Sequence, residues 1–590
     1  MEKIPKVRVT VLPSGIKLAA RRNEPLAACL ERGGILLNTS CGRRGVCGKC
    51  LVEVVSGRLS ALQEQESVFV GEKGLNRRRR LACLARIEGV VTLRIPASSR
   101  VREMRILDSG PAVKARLDPA VKKYLFDPPP FDPASPMSLL DTLRLALRNG
   151  RLGIPLSLLE GLDGILSGAG QKVTAAVYVD REIIGLEPGD TLDSLYGIAV
   201  DLGTTTLVVE LIDLITGKRL GVRTALNGQL KHGADVISRL SSAFADRKNG
   251  EDLKRLVVDS LNSIIGGMLE EAGIKPESVY EVSLAGNTAM NHLLLGVPVA
   301  SLAVSPFRAV FSRLSGLRAA DLGFKVHPHG RVYLAPNIRS FVGGDISAGL
   351  IASGLPDKKG HELFVDLGTN GEVVLKTGSR WLTTSTAAGP AFEGMNISCG
   401  MPALPGAVSS AGGRDSLKLR TIGGRPPAGV CGTGLIDLVA RSLRKRELAP
   451  DGKILSAEGR LPITESMALT QDDIRQVQLA CAAVKAGMRM MLKEAGLAVS
   501  DLDGLSIAGA FGRQLNIRNA QAMGLLPLIN EKKVVFVGNS SLAGARLLLL
   551  SREARDRVEA LASRIQYLSL AKNPLFQDQF IDALAFGRWA

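Results

Sequence analysis

The sequence predicts a multidomain chain of the α+β and α/β classes, and three observations carry that reading. Four cysteines, Cys41, Cys47, Cys50 and Cys83, sit in an N-terminal stretch of strand-like alternation. A segment holding Pro119, Pro128, Pro129, Pro130, Pro133 and Pro136 then interrupts the periodicity. From residue 194 onward apolar strands end in Gly and Thr loops, and the pentapeptide VDLGT occupies 200–204 and again 365–369, the sign of a duplicated unit. A chain of 590 residues exceeds one hydrophobic core. It divides on this reading into a cysteine-bearing domain at 1–95, a linker at 96–136, a small α+β middle domain at 137–193 and a large duplicated α/β domain at 194–590.

Taken in order, PKVRVTVLPSGIKLAA at 5–20 alternates charged and apolar residues about a Pro-Ser-Gly turn and predicts a β-hairpin. PLAACLERGG has helical spacing and a Gly-Gly stop, and CLVEVVSG and GVVTLRIP read as the strands that close the first unit. In the middle domain MSLLDTLRLALRNG reads as a helix and KVTAAVYVDREIIGLEPGD as strand-like, with no chemical motif in either. Hydrophobic residues at 45%, aromatics at 4% and 64 glycines describe an ordered globular protein with small-residue packing.

The N-terminus lacks the apolar core of a signal peptide, and no run of about 18 apolar residues occurs. The expected location is the cytoplasm, without membrane insertion. Thiols stay reduced there, so the eight cysteines read as metal ligands before disulfides. The net charge of +18 is concentrated in residues 1–100, which hold 19 Lys and Arg against 8 Glu. Such a field steers acidic macromolecules, but scarce aromatics and the lack of a binding motif argue against nucleic acid.

Cys41, Cys47, Cys50 and Cys83 form the pattern C-x5-C-x2-C-x32-C, in which one loop supplies three thiolates and a distant segment the fourth. Plant-type ferredoxins hold a [2Fe-2S] centre with a closely related spacing, and the longer first gap, with RRLACLARI around the fourth cysteine, resembles the adrenodoxin-like branch. A structural zinc site is the alternative, although zinc sites usually come as two close pairs. Cys29, on the predicted helix, reads as a buried packing residue.

GIAVDLGTTTLVVEL and LFVDLGTNGEVVLK each read as a strand, an Asp, a Gly-Thr turn and a second strand. That arrangement offers amides and hydroxyls to phosphates and a carboxylate to the accompanying metal. No G-x-x-x-x-G-K-[ST] is present, so turns between strands would make the grip. These hairpins, followed by SIAGAFGRQLN at 506–516, resemble the actin-like ATPase superfamily of sugar and acetate kinases, chaperone ATPases and actin.

Together with SLAGNTAMNHLLLG, AAGPAFEGMNISCGM, GVCGTGLIDLV and FVGNSSLAGA, the whole chain resembles the ATP-dependent reductive activators of corrinoid proteins. The resemblance implies a β-grasp ferredoxin-like N-terminal domain, a small middle domain and a duplicated actin-like (ribonuclease H-like) ATPase domain. It implies that Cys41, Cys47, Cys50 and Cys83 hold a [2Fe-2S] cluster. It places Asp201 with Gly203, Thr204, Thr205 and Thr206, and Asp366 with Gly368, Thr369, Asn370 and Gly371, in two phosphate loops. Gly432, Gly434, Gly509 and Gly512 would line the nucleotide, and Glu393 would serve Mg2+ or the attacking water beside Asp201 and Asp366.

The implied activity is ATP-driven electron transfer from the cluster to inactive Co(II) corrinoid, restoring Co(I). The partners would be a corrinoid/iron-sulfur protein or a methyltransferase corrinoid subunit, a low-potential electron donor, and a second copy in a homodimer. From a donor near about −400 mV, raising one electron by 100–200 mV costs roughly 2–5 kcal/mol. Differential binding of about 5.5 kcal/mol moves an equilibrium from 1:99 to 99:1. Rival readings are an activator of another low-potential metalloenzyme, a small-molecule kinase with a ferredoxin domain, and a ferredoxin that holds nucleotide only structurally. His232, His292, His327, His329 and His361 read as structural, Cys399 and Cys431 as buried, and the run RRRR at 77–80 as a solvated loop.

Overall fold

The computed structural model describes residues 6–12, 15–33, 35, 37, 45, 48, 50–70, 78–96, 99, 116–128, 137–166, 172–233, 235–413, 416–509, 515–570, 573–587 and 589. Its first unit is a five-stranded sheet made of β1 (Lys6–Leu12), β2 (Ile16–Arg21), β3 (Leu51–Leu59), β4 (Arg79–Leu81) and β5 (Ile87–Arg94), in the order β2-β1-β5-β3-β4. β1 runs antiparallel to β2 and parallel to β5, which is the β-grasp arrangement. Val9 and Val11 point inward at period two and meet Leu26, Cys29 and Leu30 of the helix Leu26–Arg32, so Cys29 is a packing residue. Arg80 departs from the solvated-loop reading of the RRRR run. It lies buried in β4, where its Nε and Nη2 donate to the buried Glu66 at 3.1 and 2.9 Å, because the last arginine of the run enters the sheet.

β6 (Val121–Phe126), β7 (Val173–Tyr178) and β8 (Glu182–Pro188) form a second, antiparallel sheet. β6 falls inside the stretch read as a linker: its flanking prolines hid a six-residue strand whose Val121 and Phe126 are both buried. One face of this sheet packs Val173, Ala175 and Val177 against Leu143, Leu152 and Leu162. The other turns Val121, Ala176 and Ile184 toward Tyr280 of the large domain. KVTAAVYVDREIIGLEPGD is two strands, because Val179 and Asp180 take positive φ and reverse the chain. Asp118, just before β6, bridges to Ser551, and its carboxylate accepts from Arg552 Nε at 2.9 Å.

The large domain repeats one topology twice. In the first lobe β9 (Tyr196–Leu202), β10 (Thr206–Asp213), β11 (Arg219–Leu226), β12 (Val279–Gly286), β13 (Leu317–Arg318) and β14 (Arg331–Leu334) are ordered β11-β10-β9-β12-β14-β13. The second lobe contains β15 (His361–Leu367), β16 (Gly371–Thr377) and β17 (Arg380–Thr386). A three-stranded sheet follows, of β18 (Ala407–Gly412), β19 (Lys418–Thr421) and β20 (Gly429–Val430), then a hairpin of β21 (Arg460–Thr464) and β22 (Met467–Thr470). β23 (Gly504–Gly509), β24 (Val534–Gly538) and β25 (Gln566–Tyr567) complete the second main sheet, ordered β24-β23-β15-β16-β17-β25.

Each six-stranded main sheet thus has three antiparallel strands, two further strands added parallel to the first, and one two-residue edge strand, β13 beside β14 or β25 beside β17. Between the lobes cross the helices Gly344–Ala352 and Ser540–Leu550. A Cβ on Gly349 would stand 2.6 Å from Ser540 Oγ, and one on Gly544 2.4 Å from the Ala348 carbonyl carbon. Glycine at these two points is what lets the backbones approach so closely.

Candidate functional site

Both VDLGT segments end the first strand of a lobe, and the sheets place their carboxylates equivalently. Asp201 pairs across the parallel strand with Ala285, and Asp366 with Ala508. Beyond this point the turns differ. Leu202 pairs with Leu207 in the first lobe, whereas Leu367 pairs with Gly371 in the second, so the second turn is one residue shorter. A one-residue slip exchanges the faces of a strand. Asp201 therefore has Val208 opposite it, and Asp366 has Glu372.

The surroundings of the two aspartates diverge in the same sense. Asp201 accepts from Asn539 Nδ2 at 2.8 Å and Ser541 Oγ at 2.9 Å, both at the start of the crossing helix from the other lobe. Burial raises its pKa and these two donors oppose the rise. Among the described residues Asp366 has no such donors: burial first, then the charges of Asp345, Asp201 and Glu393, push its carboxyl up to about 7. Asp345, at the start of the other crossing helix, is pushed up to about 7 by burial and by Asp201. Glu372 is raised well above its ordinary value by burial and then by Asp345 and Asp366. Glu393 is raised by burial, opposed by Thr369 Oγ1, which donates to it at 2.7 Å.

The cleft thus gathers five carboxyl groups whose pKa values burial raises, those of Asp345 and Asp366 to about 7. Among the described residues no three His, Cys, Asp or Glu side chains are close enough to hold a metal alone. Carboxylates spread around a cleft suit Mg2+, which keeps several waters and takes other ligands from phosphate, and the residues present fit that ion.

Around the first turn, Gly203 is required because a Cβ there would lie 2.4 Å from Thr206 O. Thr204 Oγ1 accepts from Asn287 Nδ2 at 3.0 Å, while Thr205 Oγ1 is buried without a hydrogen-bond partner among the described residues. In the second turn Gly368 N–H donates to Asn370 O at 3.0 Å. Gly509 has φ +102°, and a Cβ on it would meet Leu367 O at 2.5 Å and Asp366 Oδ1 at 3.0 Å, so it clears the space beside that carboxylate. Gly432 and Gly434 open the helix Gly432–Arg444, and Gly434 is pressed against Val408 O, where a Cβ would stand 2.1 Å away. Gly512 lies outside the described residues.

In the N-terminal unit Cys41 and Cys47 also lie outside the described residues. Cys50 and Cys83 are placed at one end of the sheet: Leu51 pairs with Leu81, and Ala82 N–H donates to Cys50 O at 3.0 Å. Gly45 and Gly48, between the first and third cysteines, take φ of +77° and +66°. Left-handed turns of this kind let a short loop wrap around a small group, so the described part of the cysteine set fits a [2Fe-2S] cluster.

The histidines lie elsewhere. His292 Nδ1 meets Thr288 O at 2.7 Å and its Nε2 accepts from Val310 N–H at 3.0 Å, and His327 stacks on Tyr280 with centroids 4.1 Å apart. His232 meets Asp252, His329 meets Ser157, and the His361 main chain is bonded to Asp503. Cys431 is buried, and Cys399, partly exposed, has its thiol pushed up to about 11 by burial and the Asp473 charge.

Sequence reasoning missed Asp345, Glu372, Asn539 and Ser541. A second internal repeat points to three of them: VGGDISAGL at 342–350 parallels VGNSSLAGA at 537–545. Both copies lead into the crossing helices. Glu372 had no such signal, since its inward direction depends on the shorter turn.

Two equivalent lobes that close a carboxylate-lined cleft about crossed helices define an actin-like ATPase, here carrying a β-grasp cluster domain and a small intervening sheet. Comparison with known proteins agrees along the chain. Residues 9–88 match the 2Fe-2S iron-sulfur cluster binding domain, 112–193 the RACo linker region, 196–358 the RACo middle region, and 360–589 the C-terminal domain of RACo, the ASKHA domain. The chain belongs to the RACo family, the reductive activators of corrinoid proteins. It is 30% identical over 584 residues, 94% of this chain and 95% of the other, to the corrinoid activation enzyme RamQ of Eubacterium limosum. It is 28% identical over 433 residues, 66% of this chain and 77% of the other, to the [Co(II) methylated amine-specific corrinoid protein] reductase of Methanosarcina barkeri. A solved reductive activator for corrinoid, iron-sulfur protein superposes with a TM-score of 0.75 at 32% identity, over 99% of both chains.

Proposed function

We propose that this chain is an ATP-dependent reductive activator that returns an electron to the inactive Co(II) corrinoid of a partner protein, restoring Co(I). The observation that carries it is the joining in one chain of a β-grasp cysteine domain to a two-lobed acidic cleft, with likeness to corrinoid activators along almost its whole length. Cys41, Cys47, Cys50 and Cys83 hold the [2Fe-2S] cluster, which supplies one-electron transfer when bound. The cluster domain ends near 95, and the sheet of β6 to β8, which draws its first strand from the stretch before 136, joins it to the ATPase that begins near 194. The partner is a corrinoid/iron-sulfur protein or a methyltransferase corrinoid subunit, the upstream donor a low-potential electron carrier, and the working form a cytoplasmic homodimer.

At the nucleotide, Asp201 and Asp366 face the phosphates across the cleft, with Asp345 beside them. These carboxylates would hold Mg2+, which would supply positive charge against the phosphates. The two turns, with Thr204, Thr205, Thr369 and Asn370, orient the phosphate chain, and Gly509 leaves room beside Asp366. Asp366, its carboxyl raised to about 7, or Glu393, raised by burial, takes the proton of the attacking water. Nucleotide that draws the two lobes together acts on the crossing helices, and the helix Ser540–Leu550 runs from the donors of Asp201 to the segment that grips Asp118. Hydrolysis is thereby joined to the placement of the cluster domain.

The experiment is anaerobic visible spectroscopy of the reduced protein mixed with a Co(II) corrinoid protein, with and without magnesium and ATP. The Co(I) band is expected only with ATP. An intact cluster spectrum and ATP hydrolysis without Co(I), across both partner types, would overturn the reading and favour another low-potential acceptor.

A further inference from the structure

Among the described residues Arg239 is the largest fully buried side chain, and its guanidinium forms no ion pair there with a carboxylate. Its four donations go to neutral acceptors: Nε to Gly233 O at 3.0 Å, Nη1 to Gln229 Oε1 at 3.2 Å and Met290 Sδ at 3.3 Å, and Nη2 to Thr204 O at 2.6 Å. Among the described residues the acid that bears on it is Asp235, which caps its own helix through Ser238 N–H at 2.8 Å. Burial holds the guanidinium down to about 9. A buried cation left without a counter-charge is expensive, and such an arrangement has to be answered by an anion nearby.

The direction of that anion follows from the peptide geometry. Arg239 takes the carbonyl of Thr204. Asn227 Nδ2 takes that of Gly203 at 2.9 Å, and Asn227 N–H takes that of Thr205 at 2.9 Å. Gln229 Oε1 accepts from both Arg239 and Asn227, so the donors stand together on one side of the turn. A trans peptide carries its N–H opposite its C=O. Successive carbonyls drawn to one side therefore turn successive N–H groups, those of Thr204 and Thr205, to the other. Neighbouring amides aimed at one point make an anion-binding nest, and Thr205 Oγ1, buried and unpartnered, belongs to the same turn.

Resting on the nucleotide-site reading and carrying it further, we infer that Arg239 is the positioning residue for polyphosphate: it stands behind the first turn, fixes its amides, and supplies a buried positive charge that the nucleotide phosphates answer. It touches the carbonyl side of the turn and acts on phosphate through it. A purely structural Arg239 would affect every ligand of the cleft alike, whereas this role scales with the number of phosphates.

The test is isothermal titration of the full-length protein, wild type, Arg239→Gln and Arg239→Lys, with adenosine, AMP, magnesium-ADP and magnesium-ATP. Arg239→Gln should weaken magnesium-ATP by about tenfold or more, the scale of one charge-assisted contact, ADP by less, and adenosine hardly at all. Arg239→Lys should recover part of the loss, keeping the charge but not the fork that reaches Thr204 and Gln229 together. The ratio of ATP to adenosine affinity is internal to each variant, so it survives partial unfolding, and if Arg239→Gln does not fold then Arg239→Lys still reports it. An unchanged ratio in the variants, with affinities lowered uniformly, would overturn the inference while leaving the nucleotide site intact. A wild type that binds none of the four would instead overturn the nucleotide reading, and this inference with it.

Discussion

Replacing Asp366 with Asn should stabilise the nucleotide-free protein while abolishing its ATPase, and the gain should depend on pH. The carboxyl moves from an ordinary 3.8 to about 7 on folding. Between those values the folded state binds more protons than the unfolded one, so wild-type stability falls as pH rises. The contribution is fully present below about pH 4 and lost as pH climbs through about 7. At about 1.4 kcal/mol per pKa unit, the shift corresponds to roughly 4 kcal/mol once the group is ionised, and about 2–3 kcal/mol of that accrues between pH 5 and pH 8.

Asn cannot ionise, so the stability of Asp366→Asn relative to wild type should improve by that amount across the interval. Denaturant melts of both proteins at pH 5, 6, 7 and 8, without nucleotide or divalent cations, give the difference directly. A gap that stays constant with pH would refute the placement of a proton on Asp366. Hydrolysis should fall at least about a hundredfold, on the scale of a lost general base.

Three further outcomes follow from the same geometry. Magnesium-ATP affinity should rise from pH 6 to pH 8, with proton release seen as a dependence of the titration heat on buffer, because Asp345 and Asp366 give up protons to a cation; binding without proton release would contradict it. Ser541→Ala combined with Asn539→Ala removes both donors to Asp201 and should weaken magnesium-ATP by about tenfold, read by calorimetry, with adenosine binding retained. Cys50→Ser and Cys83→Ser should each bleach the visible [2Fe-2S] spectrum of the anaerobically purified protein while ATP hydrolysis persists; an undiminished spectrum in either would remove that residue from the ligand set.

Much of the architecture was legible because it rests on local pattern. Val9 and Val11 announced an inward-facing strand by period two, and the repeated VDLGT announced the duplication, which the strand orders of the two lobes reproduce. The carboxylates of the cleft were only half legible. Asp201 and Asp366 stand in the repeat itself, but Asp345, Asn539 and Ser541 arrive on helices remote in sequence. Glu372 faces inward only because the second turn is a residue shorter, a register effect invisible to residue counting. β6 was obscured for a different reason: Pro119 and Pro128 bound it so tightly that local composition spoke for a loop, and what makes VKKYLF a strand is its partner β7, about fifty residues away. Arg239 gave no sequence signal at all, since nothing in its neighbours tells that a polar side chain will be buried without an acid.

The strand β6 also has a practical bearing on modular engineering. Its backbone is paired to β7 along its whole length, and Asp118, three positions before it, is tied to Ser551 and Arg552 of the distant C-terminal lobe. A chimera that exchanges the electron-donating head for another redox module should therefore splice upstream of Asp118. A graft cut at residue 137, where composition alone would place the border, removes an outer strand from its sheet, exposes the edge of β7, and severs the recipient from the clamp on its own C-terminal lobe.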